Sequence, residues 1–186
     1  ISSTNDAPTA TSQSVTTNED TAKSITLGAS DPEGSTLIFT IVTSPTRGTL
    51  SGTGASRTYT PNANINGSDV FTFKVNDGTL DSNTATVSIT ITSVNDAPVA
   101  SGQSVTTTED SAVGITLVAT DADGDSLTYS IVTAPSKGTL SGSGASRTYT
   151  PNSNATGSDS LTFKVRDGTV FSNTATVSIT INAVND

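Results

Sequence analysis

Asp121, Asp123 and Asp125 stand on alternate positions of one short run, Asp-Ala-Asp-Gly-Asp. Two carboxylates brought about 4 Å apart at an effective dielectric near 20 repel by roughly 4 kcal/mol before screening, so where the fold gathers this run with further acids the cluster calls for cations. The chain has no His and no Cys, which leaves hard oxygen donors as its metal ligands. Oxygen-only sets of this kind select Ca²⁺, which takes about 6 to 8 ligands in irregular geometry, over Mg²⁺, which demands a stricter octahedron. The run is not an EF-hand. A loop beginning at Asp121 would need Gly where Ser126 stands and Glu where Val132 stands.

Other acids gather around a second feature. Asn5-Asp6-Ala7-Pro8 returns as Asn95-Asp96-Ala97-Pro98, and the chain closes on Asn185-Asp186 at the same 90-residue interval. Superposing residues 5–94 on 95–184 needs no gap and leaves 60 of 90 positions identical. Self-similarity at a fixed period marks an array of like units, here repeat one over 5–94 and repeat two over 95–186. The chain begins at Ile1 and ends inside a third copy of the joint, so it is expected to be a piece of a longer array.

Composition limits the rest. Aromatics are 4% and Trp and Met are absent, so each core must be built from Val, Ile, Leu and a few Phe and Tyr. Thr, Val and Ile favour extended chain through their branched Cβ. Without Cys there are no disulfides, and a small secreted domain must find another staple. The net charge of −9 disfavours nucleic acid and anionic lipid as partners, and no apolar run reaches the roughly 20 residues of a membrane span. Without His or Cys the usual nucleophile–base pairs are missing, so the chain is not expected to be an enzyme.

The elements that must position the acids are strands. Alternating runs bounded by Gly, Pro, Asn and Asp predict seven of them, in repeat one near 13–17, 23–29, 37–42, 48–51, 57–60, 70–75 and 84–91. Ala85, Val87, Ile89 and Ile91 face one way and Thr84, Thr86, Ser88 and Thr90 the other, so one face is core and one is wet. Phe71, Phe73 and Val75 repeat the pattern, as do Ile25, Leu27 and Ala29. The expectation is all-β: two tandem seven-stranded Greek-key sandwiches of antiparallel strands. Tyr59 and Tyr149 read as core rings whose hydroxyls reach a loop carbonyl. Lys74 and Asn83 suggest an isopeptide crosslink, which the wet-face position of Lys74 argues against.

An odd number of passes sends the two termini of each sandwich to opposite ends. Turns at 19–20, 45–48 and 61–69 then share the C-terminal end, and those at 31–35, 52–54 and 77–81 the N-terminal end. The acids lie almost wholly in these turns. The middle joint is therefore expected to collect Glu19, Asp20 and Asp69 from repeat one, Asn95 and Asp96 from the linker, and Asp121, Asp123, Asp125 and Asp167 from repeat two. The outer joints would hold Asn5, Asp6, Asp31, Glu33 and Asp77 at one end and Glu109, Asp159, Asn185 and Asp186 at the other, with fewer or weaker ions.

Phe73-Lys-Val-Asn-Asp77-Gly78, the strand at 84–91 and Val94-Asn-Asp-Ala-Pro98 together resemble the end of a cadherin repeat and its linker. Asp121-Ala-Asp123-Gly resembles the cadherin Asp-x-Asp loop, and Glu19 occupies the place of the glutamate after the first strand. The chain is still more similar to the bacterial cadherin-like, Ig-like tandem repeats of large surface adhesins, in which Tyr59-Thr-Pro-Asn62 and Asn66-Gly-Ser-Asp69 also recur. The resemblance implies Glu19, Asn95, Asp96, Asp121, Asp123 and Asp167 as Ca²⁺ ligands of the middle joint. The cadherin Asp-Arg-Glu motif is absent, with Asp69 and Asp159 near its place, which implies fewer ions than the family's usual set.

The function expected from these features is a calcium-rigidified spacer of a secreted or cell-surface adhesin, whose partners are Ca²⁺ and neighbouring repeats of the same chain. A carbohydrate-binding module and a homophilic or filament-forming unit stand as alternatives. The near-identity of the repeats favours the spacer, because a dedicated binding site makes one copy diverge in a loop.

Overall fold

A computed structural model describes residues 4–185. The chain divides into two units, Ile1–Val94 and Asn95–Asp186. All regular structure among the described residues is β. Unit one comprises β1 (Thr9–Thr11), β2 (Gln13–Asn18), β3 (Lys23–Thr26), β4 (Gly28–Ser30), β5 (Ile38–Thr43), β6 (Gly48–Ser51), β7 (Ser56–Pro61), β8 (Gly67–Asn76) and β9 (Ala85–Thr92). Unit two repeats the series as β10 (Val99–Ser101), β11 (Gln103–Thr108), β12 (Val113–Thr116), β13 (Val118–Thr120), β14 (Thr128–Thr133), β15 (Gly138–Ser143), β16 (Ser146–Pro151), β17 (Gly157–Arg166) and β18 (Ala175–Asn182).

Each unit is a sandwich. In unit one a four-stranded sheet runs β2-β9-β8-β5, faced by β3-β7-β6 and the short pair β1-β4. The predicted run at 23–29 is interrupted at Leu27, whose backbone N–H leaves the ladder to donate to the Ala55 carbonyl. Its two halves, β3 and β4, pair with β7 and β1 respectively.

Two features differ from the expectation. The chain makes a short additional strand, β1, before the predicted first strand, and switches sheets at Ser12, whose hydroxyl accepts from the Thr86 N–H. And β2 pairs with β9 in parallel, not antiparallel, from Gln13↔Val87 to Asn18↔Thr92. The odd number of passes explains the direction, because β2 and β9 both run from the N-terminal to the C-terminal end of the unit, and the switch at Ser12 makes them neighbours. The parallel pairing then brings the ends of β2 and β9 together, which sets the position of Glu19.

The core follows the alternation. Phe71, Phe73, Val75, Val87, Ile89 and Ile91 are buried against Ile25 and Leu27, with Tyr59 fully buried among them. Leu161, Phe163, Val165, Val177, Ile179, Ile181 and Tyr149 do the same in unit two. Gly48 and Gly138 make room for the tyrosines. A Cβ on Gly48 would lie 2.5 Å from the Thr60 carbonyl and 2.6 Å from Cζ of Tyr59.

Candidate metal centre

The Asp-Ala-Asp-Gly-Asp run of unit two folds around its first carboxylate. Asp121 Oδ1 accepts from the backbone N–H of Asp123 and of Asp125, both at 3.0 Å. Gly124 supplies the left-handed residue of this turn, at φ 78°. The fold draws oxygens of all three carboxylates within 4.8 Å of one another. Asp121 Oδ2 is buried and finds no hydrogen-bond donor among the described residues. A buried anionic oxygen without a donor is costly, and a hard cation is what such an oxygen fits.

The segment that begins unit two is tied to the same loop. The Asp96 N–H donates to Asp123 Oδ2 at 2.8 Å, and Asn95 Nδ2 donates to Asp167 Oδ2 at 2.8 Å. Asp167 also accepts at Oδ1 from the Thr169 N–H, the Thr169 hydroxyl and the Val170 N–H. The Asn95 bond is the largest influence holding its carboxyl well below the usual range, and with the loop donors it outweighs the opposing effect of burial. Asp167 therefore stays anionic.

Unit one has the same arrangement with fewer charges. Asp31 Oδ1 accepts from Glu33 and Ser35, and its Oδ2 is likewise buried without a donor among the described residues. Asp6 donates its N–H to Glu33 at 3.3 Å, and Asn5 bridges to Asp77 and Thr79. Backbone donation from Leu80, then the Asn5 amide, keeps the Asp77 carboxyl well below its ordinary range. Ser35 stands where unit two has Asp125, so one carboxylate is missing here.

At the other end of each unit Glu19 and Glu109 are buried, at 3% and 8% exposure. Glu19 Oε1 accepts from the Val94 N–H, and Glu109 Oε1 from the Val184 N–H. Asp20, at φ 56°, accepts from the Asn64 N–H. Asn185 is exposed, and Asp186 lies outside the described residues.

Asp69 and Asp159 are employed differently from the expectation. Asp69 accepts from the N–H groups of Thr46, Arg47 and Val70 and, at 2.8 Å, from the Tyr59 hydroxyl. The tyrosine thus meets a carboxylate, not the loop carbonyl expected of it. Asp159 repeats these contacts with Ser136, Lys137, Ser160 and Tyr149. Burial pulls the Asp159 pKa up, but these donors outweigh it and bring it down to about 2. Burial, then the carboxylate beside it, pushes each tyrosine hydroxyl well above its ordinary value. Both oxygens of each aspartate are occupied by protein donors. Asn83 is likewise engaged, clamping Ala10 through both its N–H and carbonyl, while Lys74 pairs with Asp81, so no isopeptide pair forms.

Asp125 joins the carboxylate cluster although it lies outside the expected ligand set, and its alternation with Asp121 and Asp123 is the signal for it in the sequence. Thr79 and Thr169, which lock Asp77 and Asp167, carried no signal beyond an ordinary turn.

A family model described as bacterial Ig domain matches residues 5–90 and again 95–180. Among solved structures, the chain is similar to human mucin-like protocadherin EC1-2, with TM-score 0.56 and 17% identity over 95% of this chain and 98% of that one. Human protocadherin-24 EC1-2 aligns with TM-score 0.52 and 17% identity over 98% of this chain and 100% of that one. These two show likeness of fold. The integrin beta-like protein A of Dictyostelium discoideum is 36% identical over 115 residues, or 50% of this chain. The chain spans 6% of that relative's length.

Proposed function

The chain belongs to the bacterial Ig domain family, and from that premise we propose that it is a calcium-rigidified spacer of a secreted or cell-surface adhesin. Tandem Ig-like and cadherin-like repeats are typical of adhesion-type surface proteins and are non-catalytic. Among the described residues no helix is long and apolar enough to cross a membrane.

The observation that carries the calcium reading is Asp121 Oδ2, buried without a donor on a carboxylate that clusters with those of Asp123 and Asp125. The ligand set we assign is Asp121, Asp123 and Asp125, with Asp96, Asn95 and Asp167 tied to them by hydrogen bonds. Glu19 and Asp20 enter through the chain, because Glu19 holds Val94, the residue before Asn95. We leave Asp69 out of the set because its oxygens are already engaged. Bound Ca²⁺ would answer the mutual repulsion of the acids and fix the run from Val94 to Asp96, and that is the stiffening we propose.

Two measurements on the full chain test this. Calorimetric titration should show Ca²⁺ binding that Asp121→Asn weakens, and small-angle scattering should show a maximum dimension and spread that change on chelation. Absence of binding would end the calcium reading. Binding with an unchanged scattering profile would leave the ion and remove the stiffening.

A further inference from the structure

The two units diverge on the wet face of the four-stranded sheet. In unit one Lys74 Nζ lies 2.6 Å from Asp81 Oδ2, and Asn76 donates to Asp81 Oδ1, so the lysine charge is answered. In unit two Arg166 replaces Asn76 and Phe171 replaces Asp81. Lys164 Nζ sits 3.8 Å from the Phe171 ring centroid and the Arg166 guanidinium carbon 5.3 Å from it. A ring face holds a cation in place without cancelling its charge. Arg166 also donates to the Thr169 carbonyl, again a neutral partner. Among the described residues neither cation forms an ion pair. Two ordered, unanswered positive charges thus stand on a chain of net charge −9. Screening keeps such a patch local beyond about 10 Å, and the adjacent Asp167 has its carboxylate engaged by Asn95, Thr169 and Val170.

The same strand leads from these cations to a cavity. Successive outward positions of β17 are Ser158, Ser160, Thr162, Lys164 and Arg166, and a shallow cavity of 380 Å³ lies over Ser158 and Ser160. Ser178, Thr180 and Ser136 add hydroxyls to its wall, together with Ile179 and with Asp159, whose carboxylate is already engaged by the Ser136, Lys137 and Tyr149 donors. In unit one the position of Ser160 is held by Val70. Ser160 and Lys164 are four residues apart, about 13 Å along the strand. That span is too long for a single small anion.

We propose that this face of unit two binds an anionic polysaccharide. Its carboxylate or sulfate groups pair with Lys164 and Arg166, and its hydroxyls exchange hydrogen bonds with the serine and threonine hydroxyls, each able both to donate and to accept. A polymer carrying charges and hydroxyls along one strand matches both ends of the row. An acidic polypeptide would use the cations and leave the hydroxyl-lined cavity without a matching partner.

The test uses the full chain in excess chelator, so that its outcome is independent of the calcium reading. Calorimetric titration is run with polygalacturonate, dextran sulfate, neutral dextran and polyglutamate. The expected result is binding of polygalacturonate or dextran sulfate in preference to the other two. Lys164→Gln with Arg166→Gln should lower affinity about tenfold or more, as the loss of charge-assisted hydrogen bonds requires, and Ser160→Val should lower it less. Asn76→Arg with Asp81→Phe in unit one should raise the number of sites per chain. Circular dichroism confirms that each variant is folded. The proposal fails if neither anionic polysaccharide binds, if the double glutamine variant binds as the parent does, or if polyglutamate binds as well as the polysaccharides.

Discussion

Glu19 Oε1 accepts a 2.7 Å hydrogen bond from the backbone N–H of Val94, and Glu19 donates its own N–H to the Thr92 carbonyl at 2.9 Å. The residue after β2 is thereby fastened to the last residue of β9 and to Val94 beyond it. Because Glu19 is 3% exposed, its charge is anchored where a surface glutamate's would not be. Glu19→Ala should destabilise unit one by about 1.5 to 3 kcal/mol, the range for a hydrogen bond to a charged group. Glu19→Gln keeps an acceptor for Val94 and should cost less, with Ca²⁺ affinity nearer the parent's than that of Glu19→Ala. Urea unfolding together with calorimetry separates the two effects.

Asp121→Asn and Asp69→Ala should have opposite profiles. The first removes charge from the triad and should weaken Ca²⁺ binding with little loss of stability in chelator. The second leaves the Tyr59 hydroxyl and the Thr46 and Arg47 N–H groups without their acceptor and should cost unit one about 1 to 3 kcal/mol or more. Its Ca²⁺ affinity should be unchanged. If Asp69→Ala instead weakens binding, the ligand assignment is wrong.

Acid should act on unit two through Asp159. Its folded pKa of about 2 lies below the ordinary carboxylate value. The stability it contributes is therefore present above about pH 4 and is lost as pH falls through about 2. Tyr149→Phe removes one of the donors responsible and should raise that pKa and flatten the stability slope across this window. Unfolding free energy measured from pH 5 downward, with NMR titration of the Asp159 carboxyl, reads both.

Gly138→Ala should destabilise unit two by about 1 to 3 kcal/mol, the usual cost of overpacking. A Cβ there would meet the Thr150 carbonyl at 2.5 Å and the Tyr149 ring at 2.6 Å. Gly114 is the contrast. Nothing lies within 4 Å of a Cβ at that position, and unit one carries Ser24 there, so Gly114→Ser should be neutral or mildly stabilising in thermal unfolding.

Much of this was legible in the sequence, because it depends on periodicity. The alternation in 84–91 and 70–75 identified the buried faces of β9 and β8 without long-range information, and the 90-residue repeat located the unit boundary's signature at Asn95. What periodicity does not carry is partner choice. Nothing local to Thr9–Thr11 distinguishes an extra strand from a lead-in, since its reality depends on β4 some twenty residues away. The pairing of β2 with β9 depended in turn on that switch. Asp69 had the letter and the loop position of a metal ligand, and only the Thr46 and Arg47 backbone, 23 and 22 residues upstream, decides that it serves the tyrosine. Asp81 and Phe171 were equally opaque, because their meaning lies in the lysine across the turn.

The parallel pairing of β2 with β9 has a consequence for a chain under tension. A pull on a unit enters near Gln13, at the start of β2, and leaves near Thr92, at the end of β9, and these lie at opposite ends of the same ladder. The force runs along the strands, across the hydrogen bonds, and loads all the pairs from Gln13↔Val87 to Asn18↔Thr92 in shear at once. An antiparallel pair pulled from two neighbouring ends would instead peel one bond at a time. Each unit therefore carries its own tensile clamp, with Glu19 as the last fastening before the load passes to Asn95.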